Sequence, residues 1–498
     1  MHDYHMTLTE PRAKTVTLAL TQTQEGLLYQ CLRGGNDGAY MIGVRVRIDG
    51  PFDFARFSRA WAQLSLRHQS LRTRFLWKGL PEPVQVVSPD TGSEPAWHDL
   101  SLLKPQDADA QWNAQIRQAE EEPFDLEKGP LVRVLAGRLS SDRHELLAVF
   151  HHLIVDGWSL AILMDELNGI YADLSEDLPP CDSLAPDFGS FVAFEQARDR
   201  TVMQRFWSDY LSGVPAHEAR PNQEFEAESG SRWGEVRLAL DGPVSGRFSA
   251  FLKKHALTAN TIAHAAWSAS LVCGGAEEAV YGMTVSGRPP ALENAEKTVG
   301  LFIKTLAVRG LPEWGMPVAD WLSQLQVDLA DLREYDAISL TDLHSYAGLA
   351  PGEALFDSIL VFENYPVPER RDRVGALAVG DISIRERTHY PITLLVSAAD
   401  GLSLRLIHDR SRVTDKQAQA LADGFQAFVE ALSQDGERSV AEALCAAQEK
   451  IDPTASSGVE EVFPGHDRRL EDLVLSQAAL TPDAVAVIFG EEEKSYAS

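Results

Sequence analysis

Long apolar runs, paired cysteines and an excess of basic residues are all missing from these 498 residues. The four cysteines, Cys31, Cys181, Cys273 and Cys445, lie far apart with no CxxC spacing, which indicates neither a disulfide framework nor a zinc ribbon and fits a reducing compartment. Acidic residues outnumber basic ones 73 to 45, and the net charge of −28 disfavours nucleic acid and anionic membranes as partners. The first fifteen residues contain no apolar segment of the signal-peptide kind, and no run of about 18 apolar residues follows, so a cytoplasmic location is expected. There is no GxSxG elbow, no Walker loop, no GxGxxG after a strand and no HExxH helix; Gly34-Gly35-Asn36-Asp37-Gly38 reads as a plain loop. Chemistry without a nucleotide, a metal or a covalent enzyme intermediate is the economical expectation.

What is present is a chain of globular composition, 44% hydrophobic and 24% charged, long enough for two substantial lobes and a remnant. Its most informative run is His151-His152-Leu153-Ile154-Val155-Asp156-Gly157. His144 to Phe150 reads as a strand buried on both faces, and Asp156-Gly157 breaks it. Ser159 is then the expected N-cap of a helix with Leu160, Leu163, Met164, Leu167 and Ile170 on one stripe. Two imidazoles, a carboxylate and a glycine thus meet at a strand-loop-helix junction. Neighbouring strand residues face opposite sides, so His151 and His152 are expected in different environments, one toward a cavity and one toward packed interior. That divergence also argues against a metal site, which needs convergent rings and further ligands. An imidazole near neutrality can accept a proton from an attacking amine or hydroxyl. A carboxylate such as Asp156 beside a buried turn calls for a cation, and Arg288, held in Ser286-Gly287-Arg288-Pro289-Pro290, is the candidate.

Elsewhere Ile42, Val44, Val46 and Ile48 alternate with polar residues as a half-exposed strand, and Phe54, Phe57, Ala60, Trp61 and Leu64 form a helical stripe. A helix is expected over Ala259 to Val272, with strands near Ala279-Thr284, Ser358-Phe362 and Ile392-Ser397, which makes the chain α/β layered. The Pro- and Asp-rich stretch from Leu178 to Asp187 reads as a crossover between lobes, and Ile451 to Gly458 as an interdomain linker. The 40 residues after it are too few for a core of their own, as if the chain were cut inside a further domain.

Together these segments resemble the condensation domains of nonribosomal peptide synthetases. His151 to Ser159 is similar to that family's HHxxxDGxS signature, Leu20 to Tyr29 to its first motif, and Arg67 to Phe75 to its RHExLRTxF. Phe206-Trp207 through Gly213, Val299 to Thr305, and Phe356 to Pro366 resemble further motifs in the family's order. Gln69 stands where the family usually has Glu, and Lys304 where it usually has Asn. Leu470 to Val487 is similar to the opening of an adenylation domain.

The resemblance implies an α/β fold of two chloramphenicol-acetyltransferase-like lobes, a V-shaped pseudo-dimer with a central tunnel. Its parts would be 1–178 (N-terminal lobe), 179–440 (C-terminal lobe), 441–465 (linker) and 466–498 (truncated start of an adenylation domain). It implies an acyltransferase with no bound cofactor, whose substrates ride on the phosphopantetheine arms of an upstream donor and a downstream acceptor carrier protein, or on acyl-CoA in a starter-type domain. His152 is assigned to the acceptor amine and Gly157 to the reacting carbonyl; His151, Asp156 and Arg288 hold the loop. Trp158, Ser286, Phe302 and Asn364 are assigned to the tunnel. The segments around Phe124, Phe75 and Asn364 look most like domains that take a D-configured donor. A non-catalytic recruitment platform is the alternative of another class. An epimerization domain would carry an additional acidic base in the second lobe and is argued against by the tail, and a heterocyclization domain would replace the histidines with aspartates.

Overall fold

The structure is a computed structural model describing residues 15–33, 40–89, 92–175, 185–217, 231–240, 242–276, 278–310, 315–350, 353–363, 377–386, 388–398, 401–432, 439–451, 485–489 and 492–495. Two hydrophobic cores divide the chain. One gathers residues from Leu20 to Tyr171 together with Val299 and Leu377, and the other residues from Met203 to Ala447. Each is built on a mixed sheet with helices against it, the layering expected when strand and helix periodicities alternate.

The N-terminal sheet has the order Val379–Glu386, Met41–Asp49, Arg143–His151, Val132–Arg138, Ala96–Asp99. Arg143–His151 lies at its centre, antiparallel to both neighbours, and is buried along most of both faces. The face of Met41–Asp49 expected to meet solvent is partly covered: Arg45 pairs with the buried Glu145, which also accepts from Trp112 Nε1 at 2.8 Å. The C-terminal sheet has the order Lys304–Gly310, Ala279–Val285, Ser358–Glu363, Ile392–Ser397, Ser403–Asp409, Trp233–Ala239. Its buried helix Ala259–Cys273 covers the range expected from sequence.

Two boundaries differ from expectation. Val379–Glu386, numbered within the C-terminal lobe, hydrogen-bonds along Met41–Asp49 and completes the N-terminal sheet. The C-terminal half therefore lends a strand to the N-terminal sheet, and 179–440 is not one uninterrupted unit. The start of the expected linker is also helix: Val440–Ile451 buries Val440, Ala443, Leu444 and Ala447, spaced i, i+3, i+4, i+7, in the C-terminal core. Residues 178–184 of the expected interlobe crossover, and the rest of the linker, 452–465, lie outside the described residues. In the tail, Val485–Phe489 pairs antiparallel with Glu492–Ser495.

The segments that carried the family resemblance support the histidine loop. Thr21 and Gln24 cap each other reciprocally at the start of helix Gln22–Arg33, and Gln24 Nε2 donates to Leu153 O at 3.0 Å. Arg67 and His68 both reach Glu166 on the helix after the loop, at 2.7 and 2.8 Å. Ser70 Oγ donates to Val299 O at 2.7 Å, tying the N-terminal core to the 299–305 segment.

Candidate active site

The central strand ends at His151. The N–H of His152 then donates to Tyr40 O at 2.8 Å, and the chain turns into helix Gly157–Asp173. The two histidines separate as strand alternation requires. His151 is 1% exposed, sits edge-on to Phe124, accepts from Leu153 N–H at Nδ1 (3.1 Å) and lies 3.7 Å from Cys31 Sγ through Nε2. Burial, aided by the charge of His152, lowers its pKa to about 3, so this ring is neutral.

His152 faces the other way. Its Nδ1 is 3.1 Å from Val155 O, which can only accept, so Nδ1 carries a proton. Its Nε2 is 2.7 Å from Glu386 Oε1. Burial disfavours a charged ring here, but the charge and hydrogen bond of Glu386, with Asp156 beyond, raise the His152 pKa above its ordinary value. Burial in turn disfavours the Glu386 carboxylate; the charge and hydrogen bond of His152, and the charge of Arg405, outweigh it and hold that carboxyl below its ordinary value. The two form an ion pair.

Asp156, 2% exposed, is the N-cap of Gly157–Asp173: its backbone is extended and its Oδ1 accepts from Ser159 N at 2.8 Å. Ser159, the expected cap, lies inside the first turn. A carboxylate caps as well as a hydroxyl and is favoured by the helix dipole, and its position before the glycine leaves Ser159 free for other work. Ser159 Oγ donates to Gly300 O at 2.8 Å and accepts from Arg288 Nη2 at 3.0 Å. Arg288 Nη2 also reaches Asp156 Oδ1 at 3.1 Å, and Asp156 Oδ2 accepts from Phe302 N at 3.0 Å. Arg288 further donates to the carbonyls of Ala295 and Thr298 and lies 4.0 Å above the Phe302 ring. Gly287 makes this approach possible: its φ is +60°, and a Cβ there would lie 1.8 Å from Phe302 O.

The residues assigned to a tunnel divide differently. Phe302 is fully buried among Phe188, Phe191 and Arg288, so it belongs to the frame rather than to a tunnel wall. Trp158 is also drawn into the frame, donating from Nε1 to Glu296 O at 3.0 Å beside Arg288. Ser286 is exposed, and Asn364 lies outside the described residues. Lys304 forms a buried ion pair with Glu195, which rationalises a cation at that position.

The sequence reading missed Glu386. Its only local signal is the alternation Ile382-Ser383-Ile384-Arg385-Glu386, which indicates a strand but not the sheet it joins. Among the described residues no three His, Cys, Asp or Glu side chains are grouped to hold a metal ion, and no helix is long and apolar enough to cross a membrane.

A sequence model of the family described as Condensation domain matches residues 14–451. The chain belongs to the condensation-domain family. Members catalyse amide-bond formation by acyl transfer. Among similar proteins, a linear gramicidin synthase polypeptide of Brevibacillus parabrevis is 30% identical over 482 residues, covering 96% of this chain and 9% of its own length. Tyrocidine synthase 2 of the same organism is 23% identical over 484 residues, covering 96% of this chain and 13% of its own length. This condensation domain thus spans about a tenth of those curated relatives. In fold it resembles the first condensation domain of the calcium-dependent antibiotic synthetase, with a TM-score of 0.70 at 19% identity over 86% of this chain and 98% of that one. The starter condensation domain of rhizomide synthetase, a mutant crystallised with C8-CoA, also gives 0.70, at 16% identity over 86% and 97% of the two chains. The fold is that of condensation domains, with chloramphenicol-acetyltransferase-like lobes.

Proposed function

We propose that this domain joins an acyl donor to an aminoacyl acceptor, both held as thioesters on phosphopantetheine arms of carrier proteins, and that His152 acts on the acceptor amine. The observation that carries this reading is the setting of His152. It is a buried ring oriented through Nδ1 by a backbone carbonyl, and its Nε2 is directed at Glu386, whose side chain is 28% exposed. A substrate approaching the ring from the Glu386 side meets Nε2, the nitrogen that takes a proton once the ring is neutral.

Tethering both substrates supplies most of the rate by proximity. The amine attacks the donor carbonyl, the C–N bond forms, and the proton lost from nitrogen passes to Nε2 of the neutral ring. The C–S bond then breaks, and that proton leaves with the carrier thiol. Gly157 opens the helix, where backbone N–H groups have no intrahelical acceptor, which supports it as a donor to the oxyanion. His151, Asp156 and Arg288 hold the loop. The donor is a D-configured peptidyl group on the resemblance of the Phe75, Phe124 and Val361 segments, and an adenylation domain follows on the resemblance of the tail.

The test offers D-peptidyl, L-peptidyl and fatty acyl donors, on a carrier protein and as acyl-CoA, to the purified domain with a fixed aminoacyl-carrier acceptor, and detects product on the acceptor by mass spectrometry. Product lost in His152→Ala supports the assignment. Carrier binding without product from any donor identifies a recruitment platform, and preference for acyl-CoA identifies a starter domain.

A further inference from the structure

The His152–Glu386 contact has a chemical consequence that rests on the function proposed above. Nδ1–H of His152 donates to Val155 O, and Nε2 faces the Glu386 carboxylate, so both ring nitrogens act as donors and the ring offers no lone pair. Glu386 also stands where the acceptor amine has to sit.

We propose that Glu386 is a positioning residue of the amide-forming reaction, whose carboxylate occupies His152 Nε2 and keeps the ring an imidazolium until the acceptor takes its place. Three observations meet here. Glu386 ends the crossing strand Val379–Glu386, so its backbone is fixed by the ladder to Met41–Asp49, with Glu386 opposite Ile42. The His152 side chain is 8% and the Glu386 side chain 28% exposed, so the pair is more open on the Glu386 side. The charged surroundings also favour ionisation. Arg405, on Ser403–Asp409, acts on Glu386 and on Glu363, which ends Ser358–Glu363; Glu363 and Asp156 oppose it, and His151 remains neutral. Tyr40 and His389 are hydrogen-bonded to each other beside the loop, with burial lowering the His389 pKa to about 4, so that ring brings no charge.

For turnover His152 must release its Nε2 proton to solvent on the partly exposed Glu386 side, and the neutral ring then accepts the proton the amine loses. The acid limb of the rate profile therefore reports the His152–Glu386 pair. Glu386→Gln keeps the shape and the hydrogen bond but removes the charge, and Glu386→Asp keeps the charge.

The experiment follows His152 by NMR on the full domain with 13C-labelled histidine, assigned by loss of its signal in His152→Ala, and measures single-turnover condensation between pH 5.5 and 9 (roughly the span of histidine and amine titration). In Glu386→Gln the His152 titration shifts to lower pH by about one unit, about tenfold in proton affinity, and the acid limb of the rate shifts with it, while Glu386→Asp stays close to the parent. Thermal melting confirms that the variants fold. An unchanged His152 titration in Glu386→Gln overturns the proposal, and so does a shifted titration with an unshifted rate profile. Absence of product from the parent domain refutes the function instead, and the titration still reads the pair.

Discussion

Two ion pairs leave the histidine loop in opposite directions. Asp156–Arg288 is 3% and 4% exposed, and both carboxylate oxygens are engaged by backbone N–H groups as well as by the guanidinium. His152–Glu386 is 8% and 28% exposed, and its carboxylate has one described partner. A closed pair whose every acceptor is satisfied resists exchange, because breaking it strands a charge in low dielectric. A pair whose acid side chain is partly exposed and has fewer partners can be replaced by a charged or polar substrate. One loop thus carries a fixed anchor and an exchangeable one, four residues apart.

Removing His152 tests the open pair most severely. His152→Ala is expected to lower the condensation rate by about 10²- to 10⁴-fold with the fold retained, measured by single turnover and by melting. On the closed side, Asp156→Ala strands Arg288 and removes a helix cap; the expected loss is about 3–5 kcal/mol, read from the denaturant midpoint. A mild effect there would mean that Asp156–Arg288 is as replaceable as its counterpart. Gly287→Ala probes the same anchor through the backbone, where a positive φ and the Phe302 carbonyl leave no space for a Cβ. About 1–3 kcal/mol is expected from the conformation alone.

A comparable effect, spread over pH, separates the two adjacent rings. His151 has a folded pKa of about 3, below its unfolded value, so its contribution is present above pH 6.5 and is lost as the pH falls toward 3. Between about pH 6.5 and pH 5 this amounts to roughly 2 kcal/mol, and His151→Asn flattens that slope in stability measurements across the range. His152 has a raised folded pKa, so its pair contributes fully below the unfolded value and fades as pH rises through the folded one. Melting of Glu386→Gln against the parent accordingly differs more at pH 6 than at pH 9 (round values either side of a histidine's range). Parallel slopes in these two variants would erase the distinction.

Much of this site was legible because its signals are local. The central strand, the break at Asp156-Gly157, the divergence of the rings and the following helix all come from alternation and turn chemistry within about thirty residues. Arg288 was legible for a different reason, since a buried carboxylate requires a cation and a Gly-Arg-Pro segment offers one of restricted approach. The N-cap was misassigned because Asp156 and Ser159 are both good caps and only backbone dihedrals separate them. Phe302 and Trp158 are not distinguishable as tunnel or frame from sequence, because apolar residues near a reactive motif suit a wall and a brace equally well. Helix Val440–Ile451 covers the start of the expected linker, yet its apolar spacing places it in the C-terminal core.

Glu386 marks the limit. It lies 234 positions from His152, on a strand numbered with one lobe and paired with the other lobe's sheet. Sequence alone determined the family, the α/β layering, the histidine run and the need for a cation, because periodicity, turn chemistry and desolvation act over short range. Tertiary structure decided which strand closes the N-terminal sheet, and thereby which carboxylate faces the ring. Strand pairing is made by backbone groups common to every residue, so no side-chain pattern in Val379–Glu386 specifies its partner.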